Sequence, residues 1–292
     1  MHVARSLRLA LLILAFGLSA CAASAPAPGP EYGVERFRAL DAALLASGRM
    51  KADRLARDVP LTPEILAENF SKTAFGEEFA LAHGVTIPIA NRPSGNLRKW
   101  TGPVRYELSD RATIRDEKEV TGLVTRLRRS TGLDIGPAGR AKPNMFIRVL
   151  SEQDRARIAY TFATLEQPSP LAELFLTWAA APEWPCAGEI YFSGPDSDTR
   201  FEIALAMIYI RDEVRGLSRQ ACIEEEISQS LGLVRDDPTV RPSIFNDDEE
   251  YALLTRHDEL LLKILYDPEL APGMDLETAM PIVRRVARKV IE

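Results

Sequence analysis

The stretch Cys222-Ile223-Glu224-Glu225-Glu226-Ile227-Ser228-Gln229-Ser230-Leu231-Gly232-Leu233-Val234-Arg235-Asp236 decides how the chain is read. At about 100° per residue, Ile223, Ile227, Leu231 and Val234 fall on one narrow face, with Cys222, Glu225 and Gln229 roughly 200° away. One face of such a helix rests on a sheet, and the other is covered or lines a cleft. Gly232 stands where helices end in a left-handed residue. The helix expected here runs over 211–233.

Upstream, 201–210 contains Ile203-Ala204-Leu205-Ala206-Met207-Ile208-Tyr209-Ile210, a nearly continuous apolar run that suits an interior strand. Residues 188–193 read as the strand before it. The Gly194-Pro195-Asp196-Ser197-Asp198 turn between them has too few oxygens for calcium and reads as a solvated hairpin loop. Residues 104–108 alternate, placing Val104, Tyr106 and Leu108 on one face, and 144–150 is a buried-looking strand. Asp116 is expected to cap a helix over 117–130 that stops at Thr131-Gly132. Ser151 opens a short helix, and 171–181 is another. Trp178 and Trp184, flanked by Pro182 and Pro185, read as core rather than as a stacking platform.

Nearer the amino end, 31–57 is helical with an interruption at Ser47-Gly48. Thr62 then caps a helix with Pro63 at its first position and the stripe Ile65, Leu66, Phe70, Phe75 and Phe79. These helices are a cap or a small subdomain, and a polar loop at 91–100 separates them from the main domain. Downstream, Thr255 caps a helix to Tyr266, and Leu276, Met280, Val283, Val286 and Val290 line one side of a last helix over 275–291. The sum is an α+β domain with a mixed, twisted sheet and an N-terminal helical extension.

The 292 residues carry a formal charge of −6, and the charge is near −8 without residues 1–20, which hold Arg5 and Arg8. An acidic chain with no basic run argues against nucleic acid as a partner and against electrostatic adsorption to anionic lipid. Arg5 and Arg8 form a basic n-region, and residues 9–18 an apolar segment too short to span a bilayer. Leu18-Ser19-Ala20-Cys21 resembles the bacterial lipobox, which implies cleavage before Cys21 and acylation of its thiol, as with palmitate. Residues 1–20 are then a signal peptide, and the Ala/Pro/Ser/Gly stretch through Pro30 a tether. Ala22 after the cysteine favours the outer membrane over the inner, with the domain facing the periplasm. In that oxidising compartment Cys186 and Cys222 are read as a disulfide, with buried free thiols or a metal site, poor for want of a nearby histidine, as the alternatives. The bridge would close about 36 residues and stabilise by roughly 3–4 kcal/mol.

The opening stretch resembles the H-E-x-x-H-x-x-G-x-x-H motif of metzincin zinc peptidases, particularly the matrixin-like ones. In that frame the general-base glutamate falls on Glu226 and the glycine on Gly232. The ligand positions fall on Glu225, Gln229 and Arg235, or Asp236 with a one-residue slip. Ser243-Ile244-Phe245-Asn246 resembles a Met-turn with Phe245 in place of methionine. Leu254-Thr255-Arg256-His257-Asp258 and Ile264-Leu265-Tyr266 resemble the closing helix of a matrixin. The resemblance implies a metzincin-like domain over 96–292, after a helical region over 31–95. The lipobox together with these motifs also resembles a bacterial lipoprotein family catalogued as domain of unknown function 2927.

The departures from the peptidase pattern decide the functional expectation. A zinc site needs three good ligands, usually histidines, and an open position for water. Beyond the leader the only histidines are His83 and His257, and neither lies in the motif. Arg235 would repel a cation. No zinc or other cofactor is expected, and Glu226 has no metal-bound water to deprotonate. His257-Asp258 reads as a surface pair, and Ser243 with His257 lacks an orienting acid and an oxyanion hole. The acidic run Asp247 to Glu250 reads as solvated.

The expectation is a non-catalytic, pseudo-protease binding or scaffolding module of the cell envelope. It would hold the membrane through its lipid and engage a peptide or envelope-protein partner. The alternative is a hydrolase with Glu226 as general base and Glu225 and Gln229 placing substrate or an atypical metal.

Overall fold

The computed structural model describes residues 30–76, 79–82, 85–88, 95–164, 170–193, 201–246 and 248–292. Cys21 with its leader, the tether to residue 29, His83, Asp247 and the 194–198 turn lie outside the described residues. Within them the chain is α+β, with eight helices and a mixed five-stranded sheet.

The sheet is built from β3 (Val104–Leu108), β4 (Ile135–Pro137), β5 (Met145–Leu150), β6 (Cys186–Phe192) and β7 (Ile203–Arg211), in the order β4-β3-β5-β7-β6. The first four in that order run parallel, and β6 pairs antiparallel with β7 as an edge. The apolar run in β7 thus belongs to an interior strand with neighbours on both sides. Two features have no counterpart in the expected layout: β4, and the hairpin β1 (Phe79–Ala82) with β2 (Val85–Pro88). At three and four residues, these strands are too short to show a period.

Alternation along the strands separates two faces. On one, Val104, Met145, Ile147, Ala206, Ile208 and Ile210 meet helices α3 (Ile114–Thr131), α6 (Gly216–Gln229), α7 (Arg256–Leu265) and α8 (Leu276–Ile291). Helix α2 (Pro63–Ala74) adds Leu66 and Phe70 to that same core, so it is part of the main domain's interior. On the other face Leu150, Ala187 and Tyr209 meet α4 (Glu152–Ala163) and α5 (Pro170–Ala180). There Trp178 stacks on Tyr209 at 5.6 Å between ring centres, as a core residue does.

Helix starts obey local chemistry. Thr62, Ser151, Thr255 and Asp275 each cap the helix immediately after them, accepting from a first-turn amide. For α3 the cap is Thr113 rather than Asp116. Asp116 sits at the third helical position and its carboxylate accepts from the Thr113 amide, completing a capping box.

Two lengths differ from expectation. Helix α1 (Pro30–Ala46) stops well short of residue 57. Beyond Gly48, at φ 77°, the Met50 and Lys51 amides donate to the Glu249 and Glu250 carbonyls at 2.8 and 2.9 Å, turning the chain onto the main domain. Helix α6 spans Gly216–Gln229 instead of 211–233, because Arg211 still belongs to β7.

Candidate functional site

Helix α6 lies across the sheet beside β6 and β7. Ile223, Ile227 and Leu231 are buried as expected, and Val234 is half-buried. The rest of the helix is less simply two-faced. Cys222, Glu224, Glu226 and Ser228 are buried too, leaving Glu225 and Gln229 as the half-exposed positions of residues 222–229. Cys222 is disulfide-bonded to Cys186, with Cα atoms 5.8 Å apart. Cys186 is the first residue of β6, so the bridge bolts the helix to the edge strand.

Glu226 is 6% exposed and faces β6. A Cβ at Gly188 would stand 2.5 Å from its Oε2, so a glycine at this strand position makes the room the carboxylate occupies. Two residues past the helix's C-cap, Gly232 has φ 117°, and a Cβ there would stand 2.2 Å from the Arg98 carbonyl oxygen. Only glycine allows that crossing. The last carbonyls around the helix end are taken by side chains: Trp100 Nε1 donates to Ser230 O at 2.9 Å and Tyr266 Oη to Leu231 O at 2.8 Å.

The second and third ligand-frame positions are occupied by interactions within the protein. Gln229 Nε2 donates to Asp236 Oδ1 at 2.8 Å, joining the second position to the slipped third. Arg235 is buried, ion-paired to Asp237 at 3.2 Å, and its amide donates to the Thr73 carbonyl at 3.2 Å. The segment after the glycine is thereby held to the helix and to α2 by hydrogen bonds. Glu225 stands half-exposed at the first position. Among the described residues, no three His, Cys, Asp or Glu side chains come close enough together to hold a metal ion.

The charge cluster around Glu224 was not legible in the sequence. Fully buried, Glu224 accepts from Arg54 Nη2 at 2.7 Å, Arg126 Nη2 at 2.7 Å and the Leu254 amide at 2.7 Å. Burial opposes its charge, but the Arg54 hydrogen bond and Arg126 outweigh it and hold the carboxyl below its usual range. Glu119 beside it moves the other way, raised chiefly by burial and then by its hydrogen bond with Glu224. The three-glutamate run thus divides by angle. Glu224 is a buried ion-pair centre, Glu225 looks outward, and Glu226 packs on β6.

His257 and Asp258 are buried at 1% and 0% exposure, which overturns their reading as a surface pair. Asp258 accepts from Ser243 Oγ at 2.5 Å, the Ile244 amide at 3.1 Å, and Thr255 through both its amide and its hydroxyl. Asn69 Nδ2 donates to His257 Nε2, which leaves the ring proton on Nδ1, 3.3 Å from Asp258 Oδ1. An acid does therefore stand beside Ser243, but it lies between the serine and the histidine. Among the described residues no histidine contacts the serine hydroxyl, which donates to Asp258 instead, so the group is a buried polar network and not a serine–histidine nucleophile arrangement. In the Met-turn position, Phe245 is fully buried. Of the acidic run, Asp248 and Glu249 are exposed as expected, whereas Glu250 is half-buried and ion-pairs with Lys51 at 2.9 Å and with Arg241.

A family model described as a protein of unknown function (DUF2927) matches residues 63–285, from the first residue of α2 into α8. No curated protein and no solved structure matches the chain.

Proposed function

The chain belongs to the DUF2927 family of proteins of unknown function, and from that premise we propose a periplasm-facing, lipid-anchored module that keeps a metzincin-like fold without its catalysis. Its role is to bind or scaffold a peptide or envelope protein. The observation that carries this reading is the Gln229–Asp236 hydrogen bond. In a zinc peptidase the metal ties the helix to the segment beyond the glycine. Here that tie is a side-chain bond, reinforced by Arg235–Asp237 and by the disulfide to β6. Glu226, the residue in the general-base position, is packed against strand backbone at Gly188.

The strand and helix order from Val104 onward supports the fold relationship, and the antiparallel edge β6 beside α6 supports the choice of partner. Metzincins hold extended peptides against an edge strand next to the motif helix, and strand addition is a general route to peptide recognition. The partner assignment rests on that analogy.

The test is the metal content of the purified full-length protein together with its hydrolysis of unstructured peptides. Neither stoichiometric zinc or manganese nor hydrolysis is expected. Bound metal with activity lost in Glu226→Ala would establish the hydrolase instead. The anchor is tested separately: Cys21→Ser should move the protein out of the membrane fraction, and unchanged fractionation would refute lipidation.

A further inference from the structure

The sheet contains a reversal that lies away from the Glu226 frame. From β3 the chain passes through α3 to β4 on one side, whereas from β5 it passes through α4 and α5 to β6 and β7 on the other. Since β3 and β5 are parallel neighbours, their onward connections part in opposite directions. In open sheets this parting leaves a crevice outside the carboxyl ends of the two strands, the usual ligand position of such folds.

A cavity of about 420 Å³ lies there, within the size range of small-molecule sites. It is lined by Arg111 from the β3–α3 connection, Ser151, Glu152 and Gln153 at the start of α4, and Asp212 and Arg215 from the β7–α6 connection. Val34 of α1 borders it. Beside Val34, Gly33 approaches Glu213 so closely that a Cβ would stand 2.8 Å from its Cγ. Glu213 also lines the cavity, and Arg155 neutralises it through two hydrogen bonds of 2.7 and 2.9 Å.

The two remaining guanidinium groups are oriented but not saturated. Arg111 reaches Asp154 through Nε at 2.5 Å, and its two Nη groups have no partner among the described residues. Arg215 spends Nη1 on Asp212 at 3.0 Å and on the Val214 carbonyl at 3.3 Å, leaving Nη2 unpartnered among them. A guanidinium fixed by one carboxylate, with planar donors to spare, suits a second oxyanion.

We propose that this crevice binds a small molecule carrying a carboxylate or phosphate group, held by Arg111 and Arg215. Ser151 and Gln153 supply neutral hydrogen bonds, and Glu152 accepts from hydroxyl or ammonium donors on the ligand's body. The site does not depend on the Glu226 frame and holds whether or not that frame binds a peptide. The same oxyanion chemistry occurs in free small acids and in phospholipid headgroups.

The test tracks the thermal unfolding midpoint of the purified full-length protein titrated with millimolar inorganic phosphate, succinate or glycerol phosphate in a chloride background. The midpoint is expected to rise with at least one of the three. A stronger response to glycerol phosphate assigns the site to headgroups, and a stronger response to either other probe assigns it to free anions. The Arg111→Gln/Arg215→Gln double variant should weaken apparent affinity by about tenfold or more. Ala156→Trp, which fills the cavity and keeps both guanidinium groups, should do the same. A midpoint unmoved by all three probes, or a rise preserved in both variants, would overturn the proposal.

Discussion

Asn69 Nδ2 donates to His257 Nε2 across 3.0 Å, joining α2 to the first turn of α7 over a sequence separation of 188 residues. The same amide nitrogen donates to the Arg241 carbonyl at 3.1 Å, so a single asparagine ties together a helix, a loop and a helix start. At the centre of the network, Asp258 stands fully buried beneath four other donor groups.

Removing the acceptor should therefore cost far more than a surface change. Asp258→Ala strands the Ser243, Ile244, Thr255 and His257 donors in the interior, an expected loss of about 3–5 kcal/mol. His257→Ala should cost about 2–4 kcal/mol, through its cavity and the lost Asn69 bond. Urea denaturation with an unchanged m-value checks both. A cost under about 0.5 kcal/mol for either would match a surface residue and contradict the burial.

Glu119 and Glu224 set opposite pH dependences. Glu224, held low, contributes stability that is present above the ordinary glutamate pKa of about 4.3 and is lost as pH falls through its folded value. Glu119, held high, contributes stability that is present below that ordinary value and is lost as pH rises through its own folded value. Glu119→Gln keeps a hydrogen-bonding group beside Glu224 without the second charge. It should flatten the decline above the ordinary glutamate range and match or exceed wild-type stability at neutral pH. Denaturation midpoints across the carboxylate range to mildly alkaline pH decide the matter, and parallel profiles for the two proteins would refute the coupling of Glu119 to Glu224.

Gly188 and Glu226 should be energetically coupled. Gly188→Ala places a methyl group into the space of the Glu226 carboxylate and should destabilise by about 1–3 kcal/mol. In a Glu226→Ala background most of that penalty should vanish, giving an interaction energy of about 1 kcal/mol or more in a double-mutant cycle. Strictly additive costs would show that the two residues do not meet.

Gly232 offers the sharpest single substitution. Gly232→Ala faces both a positive φ of 117° and a backbone oxygen 2.2 Å from the new Cβ, so no rotation of a side chain relieves it. The expected loss exceeds about 3 kcal/mol or prevents folding altogether. Wild-type thermal stability in the purified variant would contradict the close crossing of residues 98 and 232.

What short-range chemistry encodes is readable from the residues before any fold is known. Thr62, Ser151, Thr255 and Asp275 mark helix starts because an N-cap needs only its own side chain and the next three amides. The alternation of β3, the apolar run of β7 and the α6 stripe arise from periods of two and 3.6 residues. The pairing of Cys186 with Cys222 was legible because only two cysteines follow Cys21 in the sequence. In the candidate site, the buried stripe of Ile223, Ile227 and Leu231 was legible, and so was the need for glycine at position 232 just past the helix.

Tertiary structure alone decided which polar groups went inside. His257-Asp258 in a capped, charged helix start reads the same whether its face is wet or covered, and in the folded chain Asn69 and the 241–245 loop bond to it. Glu224 became an ion-pair centre because Arg54, 170 positions upstream in the connection between α1 and α2, reaches it. The crevice outside β3 and β5 depends on strand order, which no local pattern records. Caps and periods are settled within a turn of the chain. The burial of a charge is settled by whichever distant donors reach it, and those are chosen only when the whole core closes.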